Sequence, residues 1–413
     1  MKLKALTIVL LSACLLAFTH SPTVYAVDVD EMGDPRPDAN DMIVAAAVDR
    51  GLAHLAKIQN SDGSWSNDIG NKLGDRYQVN RNGVNKPHVG VTAICCMAFM
   101  SAGHTPYRGR YYDVVARGLS FIQNATAKNG WISKHESRMY SHAFATLFLA
   151  EVYGQTNNNE ARSKLRDSID FIQKSQNTQG AWRYSPAQLD SDMSICVCQL
   201  QAMRAAANVG VIIDKEDLQV VERNGDKVVI HKGIEAAKMY VRRSYVRPGD
   251  AGFSTPGSFR YQLDWDGRAT FALTAAGVVA LQSTGEYGSH SYVDPADGRT
   301  YTIDFAQSIQ FLRNNRPDRS ATYLSPGWQG CDYGFWYGHY YSAQAMYQYQ
   351  FVNPRYWTEW NEQNRKHFLK LQHSNGAWTD EIGGWSPDNN AFATAMACLI
   401  LSIPRGLLPI FQA

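Results

Sequence analysis

Acidic and imidazole side chains lie at the starts of several apolar helical segments, where they could do chemistry. Asp190 and Asp192 precede one such segment, and a carboxylate there either caps the helix or acts as an acid or base. His142 begins another segment and could serve as an acid, a base or a metal ligand. We therefore take Asp192, Asp190 and His142 as candidate catalytic residues.

A second group near the same predicted helix starts could bind a substrate. Arginine side chains there could hold an anionic group through charge-assisted hydrogen bonds, and an aromatic run could line a cavity. The structural alternatives are an exposed arginine, a histidine that closes a helix end, and aromatic packing in the core. The candidate substrate-binding residues are His88, Arg183, Arg268, Trp336, His339 and Tyr340.

The elements that must position these residues belong to an internal repeat. The pattern QxxxGxW occurs three times with identical internal spacing, at residues 59–65, 176–182 and 372–378. Weaker copies at residues 118–131, 232–253 and 305–328 bring the number to six. Each copy follows an amphipathic helix. The glycine is predicted to adopt the left-handed conformation and so to end that helix. The glutamine amide is expected to bond backbone groups at helix ends, so we interpret the pattern as structural.

A second helix, rich in small and apolar residues, is predicted after each copy. These segments cover residues 89–102, 141–153, 192–209, 268–281, 340–351 and 390–403. One helix pair cannot bury both of its faces, and a ring of pairs also satisfies the two end repeats. The sequence therefore predicts an all-α fold, an (α/α)6 toroid in which six outer helices alternate with six inner ones.

The repeats resemble the QW motifs of squalene-hopene cyclases, oxidosqualene cyclases and protein prenyltransferase β subunits. The first copy also follows the extended family pattern, with Arg50-Gly51 and His54-Leu55 before Gln59. The resemblance covers about residues 44–404. It implies a toroid of the terpenoid cyclase and prenyltransferase type, with a central cavity that takes a small apolar or anionic ligand.

Two segments resemble functional motifs of these families. Asp190-Ser191-Asp192-Met193 is similar to the DxDD motif of squalene-hopene cyclases, which implies that Asp192 stands in the place of the acid that protonates an alkene. Met193 replaces the last Asp of that motif. The alternative that an aspartate simply caps the helix stays open.

The stretch around Cys331 resembles the DGCYSFW segment of protein prenyltransferases, whose Asp and Cys bind zinc. Gln329 stands where the ligand Asp should be. The resemblance leaves a zinc site at Cys331, Asp332 and His339 as a weak alternative. We assign no metal and no other cofactor.

The N-terminal segment has the layout of a secretory signal. Lys2 and Lys4 precede an apolar run, and Val24-Tyr25-Ala26 offers a cleavage site. We predict a signal peptide at 1–26, a linker at 27–43 and a single toroid domain at 44–413, and hence a periplasmic or extracellular location. Leu11-Ser12-Ala13-Cys14 matches the lipobox pattern of lipoprotein signals, so a lipoprotein anchored through Cys14 is the alternative.

Composition narrows the possible partners. The net charge of +2 over 413 residues gives no electrostatic footprint for nucleic acid. No segment after the signal reaches the roughly 18 apolar residues of a membrane span. The sequence does not determine the oligomeric state of the protein.

Three functions follow from these patterns. The leading hypothesis is a squalene cyclase- or prenyltransferase-like protein that binds or converts an isoprenoid. The first alternative is an exported polysaccharide lyase or glycosidase-like toroid, which would need suitably spaced carboxyl groups. The second is a binding or scaffold protein without catalysis, so whether the chain is an enzyme stays open.

Overall fold

A computed structural model describes residues 39–73, 76–186, 188–213, 218–223, 226–231, 233–253, 255–263, 269–317, 334–380 and 390–412. The chain divides into two units, Met1–Met42 and Ile43–Ala413, and the second contains the toroid. The predicted signal peptide and Cys14 lie outside the described residues. They stay predictions, as do the predicted domain boundaries.

The inner wall of the toroid consists of six helices in the described part of the chain: α2 (Val89–Ser101), α4 (Met139–Thr156), α6 (Met193–Asn208), α8 (Phe271–Ser283), α10 (Phe335–Tyr349) and α12 (Ala391–Ser402). Each packs on the next, and α12 packs on α2, so the ring closes. Every residue of α2 and of α12 is buried. Their small and apolar side chains permit this, because few polar groups lose contact with water.

The outer wall alternates with the inner one along the chain. Its helices are α1 (Ala39–Lys57), α3 (Tyr112–Ala125), α5 (Asn159–Ser175), α7 (Ile234–Ser244), α9 (Phe305–Asn314) and α11 (Pro354–Leu371). Helix α5 buries one apolar stripe that contains Leu165, Ile169 and Ile172, and charged residues cover its other side. The structure confirms the predicted all-α toroid of six helix pairs.

The loops of the described chain contain four antiparallel two-stranded sheets. Their strands are β1 (Ser66–Asn67) with β4 (Lys86–Pro87), β2 (Gly70–Leu73) with β3 (Arg76–Val79), β5 (Leu218–Arg223) with β6 (Asp226–His231), and β7 (His290–Val293) with β8 (Thr300–Ile303). None of these short sheets forms part of either helical wall.

The repeat signature joins neighbouring repeats through backbone hydrogen bonds. The Gln176 amide nitrogen donates to the carbonyl oxygens of Gly180, in its own repeat, and Gly233, at the start of the next outer helix, at 2.6 and 3.0 Å. The Trp182 indole donates to the carbonyl oxygen of Ile172 at 2.8 Å. The first and last strong copies make the same bonds, as the structural interpretation of the pattern predicts.

The glycine of the signature acts in the turn after the helix and not at the helix end itself. Helix α5 ends at Ser175, whereas Gly180 has φ +81° in the following turn. A Cβ there would lie 2.5 Å from the carbonyl oxygen of Ala236 in α7. The glycine therefore lets the turn approach the next outer helix, which corrects the predicted role of a helix stop.

The fourth repeat ends later than the sequence indicated. Gly257 has φ +88°, and the backbone amide of Phe259 donates to the Thr274 hydroxyl at 3.3 Å. Trp65 and Trp378 donate in the same way to the threonines of α2 and α12. Phe259, and not Phe253, therefore takes the tryptophan place of this copy.

The C-terminal segment closes one end of the inner ring. Its short 3₁₀ turn Pro409–Phe411 packs on α4 and α6. The backbone amide of Ile410 donates to the buried Glu151 carboxyl at 3.0 Å, and the Gln348 amide donates to the carbonyl oxygen of Phe411 at 3.0 Å. Among the described helices, none is long and apolar enough to cross a membrane.

Candidate functional site

Asp192 lies at the N-terminus of α6, at the mouth where the inner helices begin. Its side chain is fully buried and accepts hydrogen bonds from the Ile195 backbone amide at 3.0 Å and the Ser194 hydroxyl at 2.5 Å. The first of these bonds is a helix N-cap. Asp192 therefore holds the start of the helix and presents a carboxylate to the groups around it.

Arg183 joins the two candidate aspartates. Its Nε lies 3.1 Å from an Asp190 oxygen and its Nη1 lies 3.1 Å from an Asp192 oxygen. The Asp190 side chain is 53% exposed, whereas the Asp192 side chain is 0% exposed. The pair thus comprises one carboxylate that faces solvent and one that is enclosed, with a guanidinium between them.

Tyrosines surround this cluster. The guanidinium of Arg183 lies over the Tyr184 ring at 4.6 Å and the Tyr261 ring at 5.4 Å, both cation–π contacts. The two phenol oxygens are 2.5 Å apart. Tyr184 and Arg183 are partly exposed, so this aromatic and cationic surface forms part of the mouth.

A hydrogen-bond chain leads from the mouth to Asp192. The hydroxyl of the partly exposed Tyr140 donates to the Ser194 hydroxyl at 2.5 Å, and Ser194 in turn donates to Asp192. Because both hydroxyl protons point toward the carboxylate, the Tyr140 oxygen is a polarised acceptor. A ligand hydroxyl at the mouth could donate to it.

The space below Tyr140 is filled by side chains of opposite inner helices. Tyr140 of α4 meets Tyr337 of α10 edge-on, with ring centroids 6.4 Å apart. One turn deeper, Phe144 of α4 meets Tyr340 of α10 at 6.3 Å. The Tyr341 hydroxyl lies 3.1 Å from Cys198 Sγ on α6. Within the described residues, the barrel axis is therefore packed with aromatic side chains beneath the mouth.

Burial keeps the phenols of this cluster protonated. Desolvation, reinforced by the Asp192 charge, holds the pKa of Tyr140 well above its usual value. The same two causes raise the pKa of Tyr184. Burial by itself would lower the pKa of Arg183, but the combined electrostatic interactions with Asp192, the neighbouring tyrosines and Asp190 outweigh it and the pKa rises. The mouth therefore presents neutral phenols and a permanent guanidinium.

His88 is a capping residue. It precedes α2, and its Nδ1 accepts a hydrogen bond from the Val91 backbone amide at 3.2 Å. Burial lowers the pKa of His88 to about 4, so the ring is neutral near pH 7. This geometry matches the structural alternative for His88, in which the ring closes a helix end.

His142 faces the outer wall and not the mouth. It is the fourth residue of α4, and its Nδ1 accepts from the Ile132 backbone amide at 3.2 Å. Thr92 and Thr394, the fourth residues of α2 and α12, accept the equivalent loop amides. The ring packs between Trp131 and Phe171. His142 thus accepts the same hydrogen bond that Thr92 and Thr394 accept in their helices. This corrects the predicted place of His142 beside Asp190 and Asp192.

Helix α10 begins at Phe335, earlier than the predicted start at residue 340. His339 is buried against Phe335 and Phe368, and its Nε2 lies 3.0 Å from the Pro317 carbonyl oxygen. Trp336 stacks on Phe368. Tyr340 lies deeper on the axis and contacts Phe411. None of these three side chains therefore joins the Arg183 cluster.

Arg268, Cys331 and Asp332 lie outside the described residues. Within the described ranges, no group of three or more His, Cys, Asp or Glu side chains is placed to hold a metal. The structure thus brings together Asp190, Asp192 and Arg183 from the predicted set.

Sequence reasoning missed the tyrosines and Ser194. Tyr140 and Ser194 each occupy the second position of an inner helix, and Tyr184 follows the repeat tryptophan by two residues. A comparison of equivalent helix positions between repeats could have found the first two. Nothing in the sequence marks Tyr261 as a neighbour of Arg183.

No protein-family model and no curated protein matches the sequence. Solved structures do match. An α-1,6-mannanase of glycoside hydrolase family 76 from Salegentibacter sp. HEL1_6, in complex with α-1,6-mannotriose as an inactive variant, aligns with a TM-score of 0.57 and 10% identity. The alignment covers 88% of this chain and 99% of that one.

Two further neighbours have the same fold. A family 76 glycoside hydrolase from a bovine Bacteroides thetaiotaomicron strain aligns with a TM-score of 0.52 and 9% identity, over 87% of this chain and 77% of that one. A type II terpene cyclase from Scytonema, in complex with geranylgeranyl dihydroxybenzoate, aligns with a TM-score of 0.50 and 11% identity, over 90% and 99%. At these identities the likeness establishes the α/α toroid fold alone.

Proposed function

We propose that this chain is an exported toroid that binds a carbohydrate at the mouth of its inner ring. The observation that carries the proposal is the Tyr140–Ser194–Asp192 hydrogen-bond chain beside Arg183 and Tyr184. Sugars present hydroxyls that both donate and accept, and their C–H faces pack on aromatic rings. The mouth offers a polarised phenol acceptor in Tyr140, a ring face in Tyr184 and an exposed carboxylate in Asp190.

The filled axis supports a ligand that lies across the mouth. A long apolar chain would need depth, whereas Tyr337, Phe144 and Tyr340 occupy the axis below Tyr140. An oligosaccharide can bind across the surface of the mouth without reaching down the axis. The proposal is for binding, because a glycosidase needs two carboxyls that reach the scissile bond. The Asp192 oxygens are engaged by Ser194, Ile195 and Arg183.

An isoprenoid ligand is the second candidate. The observation in its favour is that Asp192 lies within a ring of tyrosines, whose faces could stabilise a carbocation. To protonate an alkene, Asp192 would have to be neutral. Its hydrogen bonds from Ser194 and Ile195 and its ion pair with Arg183 all stabilise the ionised form. Cyclisation therefore requires that Arg183 first move away.

Titration calorimetry of the purified protein with α-1,6-mannotriose and a panel of other oligosaccharides tests the proposal. We expect saturable binding, with Tyr140→Phe raising the Kd about tenfold through the loss of one hydrogen bond. Tyr184→Ala should weaken it at least as much. Tyr153→Phe, on the same helix α4 but at its other end, is the matched control and should leave the Kd unchanged.

Product analysis with squalene and prenyl diphosphates tests the isoprenoid candidate. A cyclised product that disappears in Asp192→Asn, without any oligosaccharide binding, would replace the proposal with the isoprenoid candidate. Binding of neither ligand class would overturn the assignment of the mouth as a ligand site.

A further inference from the structure

Arg183 keeps part of its guanidinium free at the mouth. Its Nη1 is engaged, since it donates to Asp192 at 3.1 Å and to the Tyr261 hydroxyl at 3.2 Å. Its Nε and Nη2 donate no hydrogen bond to any described residue, and neither belongs to the buried side-chain atoms that lack a partner. Both nitrogens therefore contact solvent, on a side chain that is only 16% exposed.

Asp190 presents a free acceptor beside these donors. Its Oδ2 lies 3.1 Å from Arg183 Nε, in an ion pair that lacks hydrogen-bond geometry, and accepts a hydrogen bond from the Gln262 amide at 3.3 Å. Its Oδ1 accepts none from the described residues, and the side chain is 53% exposed. The Asn177 amide donates to the Asp190 backbone carbonyl oxygen at 2.8 Å and so fixes the chain at this point. The fold therefore holds a free donor and a free acceptor next to each other.

Two aromatic rings fix the direction of the free N–H groups. The guanidinium lies over the rings of Tyr184 and Tyr261, and its bond to the buried Asp192 holds it from a third side. A donor that is already oriented loses little freedom when a ligand binds. The partly exposed Tyr184 ring also offers an aromatic face to the C–H groups of a sugar.

The charge of the cluster favours a neutral ligand. The Arg183 guanidinium is already balanced by Asp192, and Asp190 adds a second carboxylate. A uronate would therefore bring a third negative charge beside the two aspartates. An ammonium group would pair with Asp190 but would also lie next to the guanidinium. Two neutral hydroxyls satisfy both groups, because one can accept from Arg183 while the other donates to Asp190.

We propose that the mouth binds a neutral sugar ring through a vicinal diol, with one hydroxyl on the free nitrogens of Arg183 and the neighbouring hydroxyl on Asp190. The inference rests on the proposed carbohydrate function and names the part of the sugar that the protein recognises. Adjacent ring hydroxyls are about one hydrogen-bond length apart, as are Arg183 Nε and the nearest Asp190 oxygen, so one diol spans both groups.

Protein-detected NMR measures binding at Arg183 directly. The ¹⁵N-labelled Arg183 Nε–H signal can be assigned through its nuclear Overhauser contact with the Tyr184 ring. It should move saturably when the methyl α-glycosides of mannose, glucose and galactose are added to the purified protein, for at least one of them. The 3-deoxy form of that glycoside has no vicinal pair of ring hydroxyls, and its Kd should be at least about tenfold higher. The 6-deoxy form is the matched control, because it loses a hydroxyl outside the ring and should bind within about threefold of the parent.

Asp190→Ala links the diol to this carboxylate. The variant should raise the Kd of the parent glycoside about tenfold, because one acceptor is lost. It should change the Kd of the 3-deoxy form by less than about threefold, since the two losses concern the same contact. Asp113→Ala is the matched control: Asp113 on α3 is 52% exposed and also pairs with an arginine, Arg117, at 3.6 Å. It should leave the Kd unchanged.

The outcomes separate this inference from the function on which it rests. Binding of no glycoside and no oligosaccharide would overturn the proposed carbohydrate function itself. The diol inference alone is overturned if oligosaccharides bind but none of the glycosides moves the Arg183 signal, or if the 3-deoxy and 6-deoxy forms lose affinity equally. It is also overturned if Asp190→Ala weakens the parent and the 3-deoxy form by the same factor, or if a uronate or glucosamine glycoside binds more tightly than its neutral parent.

Discussion

The side-chain nitrogen of Gln372 donates a 2.8 Å hydrogen bond to the carbonyl oxygen of Ala47, 325 positions earlier in the chain. Arg50 in turn donates to the Gln372 side-chain oxygen at 2.5 Å. The last repeat thus joins the first outer helix by the same device that joins interior repeats. The device closes the toroid, so no separate capping element is needed at this seam.

Replacing Gln372 with Ala should open this seam. We expect faster amide hydrogen exchange in α1 around Ala47, and a loss of about 1–2 kcal/mol in the free energy of unfolding. Gln176→Ala removes the equivalent bond inside the ring and should raise exchange near Gly233 instead. If both variants raise exchange in α1 equally, the seam interpretation is wrong.

Gly180→Ala should destabilise the protein by roughly 2–4 kcal/mol, since it adds backbone strain to a clash with the next outer helix. Gly249 is the matched control, because it has φ +89° but a Cβ added there would have no neighbouring atom within 4 Å. Gly249→Ala should cost only about 1 kcal/mol. Urea unfolding of both variants measures the difference, and equal losses would refute the role of the close approach.

Glu151 should make stability fall as pH rises from about 4.5 to 8. Burial raises the pKa of Glu151 to about 8, although the Ile410 amide opposes the shift. The unfolded state loses this proton at lower pH than the folded state, so folding is favoured at low pH. Across that interval the unfolding free energy should fall by about 1.4 kcal/mol per pH unit for this group, and the slope should level off near pH 8. Glu151→Gln keeps an acceptor for Ile410 and should flatten this slope; an unchanged slope would contradict the assignment.

His142 should act in the opposite direction below pH 6.5, in a range that overlaps that of Glu151. Burial lowers the pKa of His142 to about 3, so the unfolded state binds a proton below pH 6.5 while the folded state does not. Stability should therefore fall as pH decreases from 6.5 toward 4, by about 1.4 kcal/mol per pH unit for this group. His142→Thr supplies the hydroxyl acceptor found in α2 and α12, and it should reduce the slope measured by urea unfolding.

His88→Asn is the companion variant, because Asn keeps the cap of α2 and removes the imidazole of His88. Burial also lowers the pKa of His88, so each single variant should remove part of the acid slope and the double variant more. If the double variant still loses stability as pH decreases, groups other than His88 and His142 cause that loss.

Much of the toroid was predictable because its signals are local. Outer helices such as α5 show a clear apolar stripe, and the strong QxxxGxW copies fix where the turns lie. The fourth copy ends later than predicted, since Phe259 replaces the tryptophan that marks the other turns. Helix α10 starts five residues before its predicted start at 340, because the aromatic residues from Phe335 onward are part of the inner wall.

The candidate site was only partly predictable. Asp190, Asp192 and Arg183 do meet, since the repeat turn and the start of α6 are close in sequence. Tyr261 reaches the same cluster from the next repeat, at a sequence separation of 78 from Arg183. No local pattern encodes that contact, which depends on how neighbouring repeats pack.

By itself, the sequence determined the number of repeats and the alternation of outer and inner helices, because both depend on spacing within a few turns of chain. Only the tertiary structure decided which side of an inner helix faces the axis. Tyr140 turns toward the mouth and His142, two residues on, toward the outer wall. An inner helix is buried on nearly every side, so its apolar residues show no stripe from which the inward face can be read.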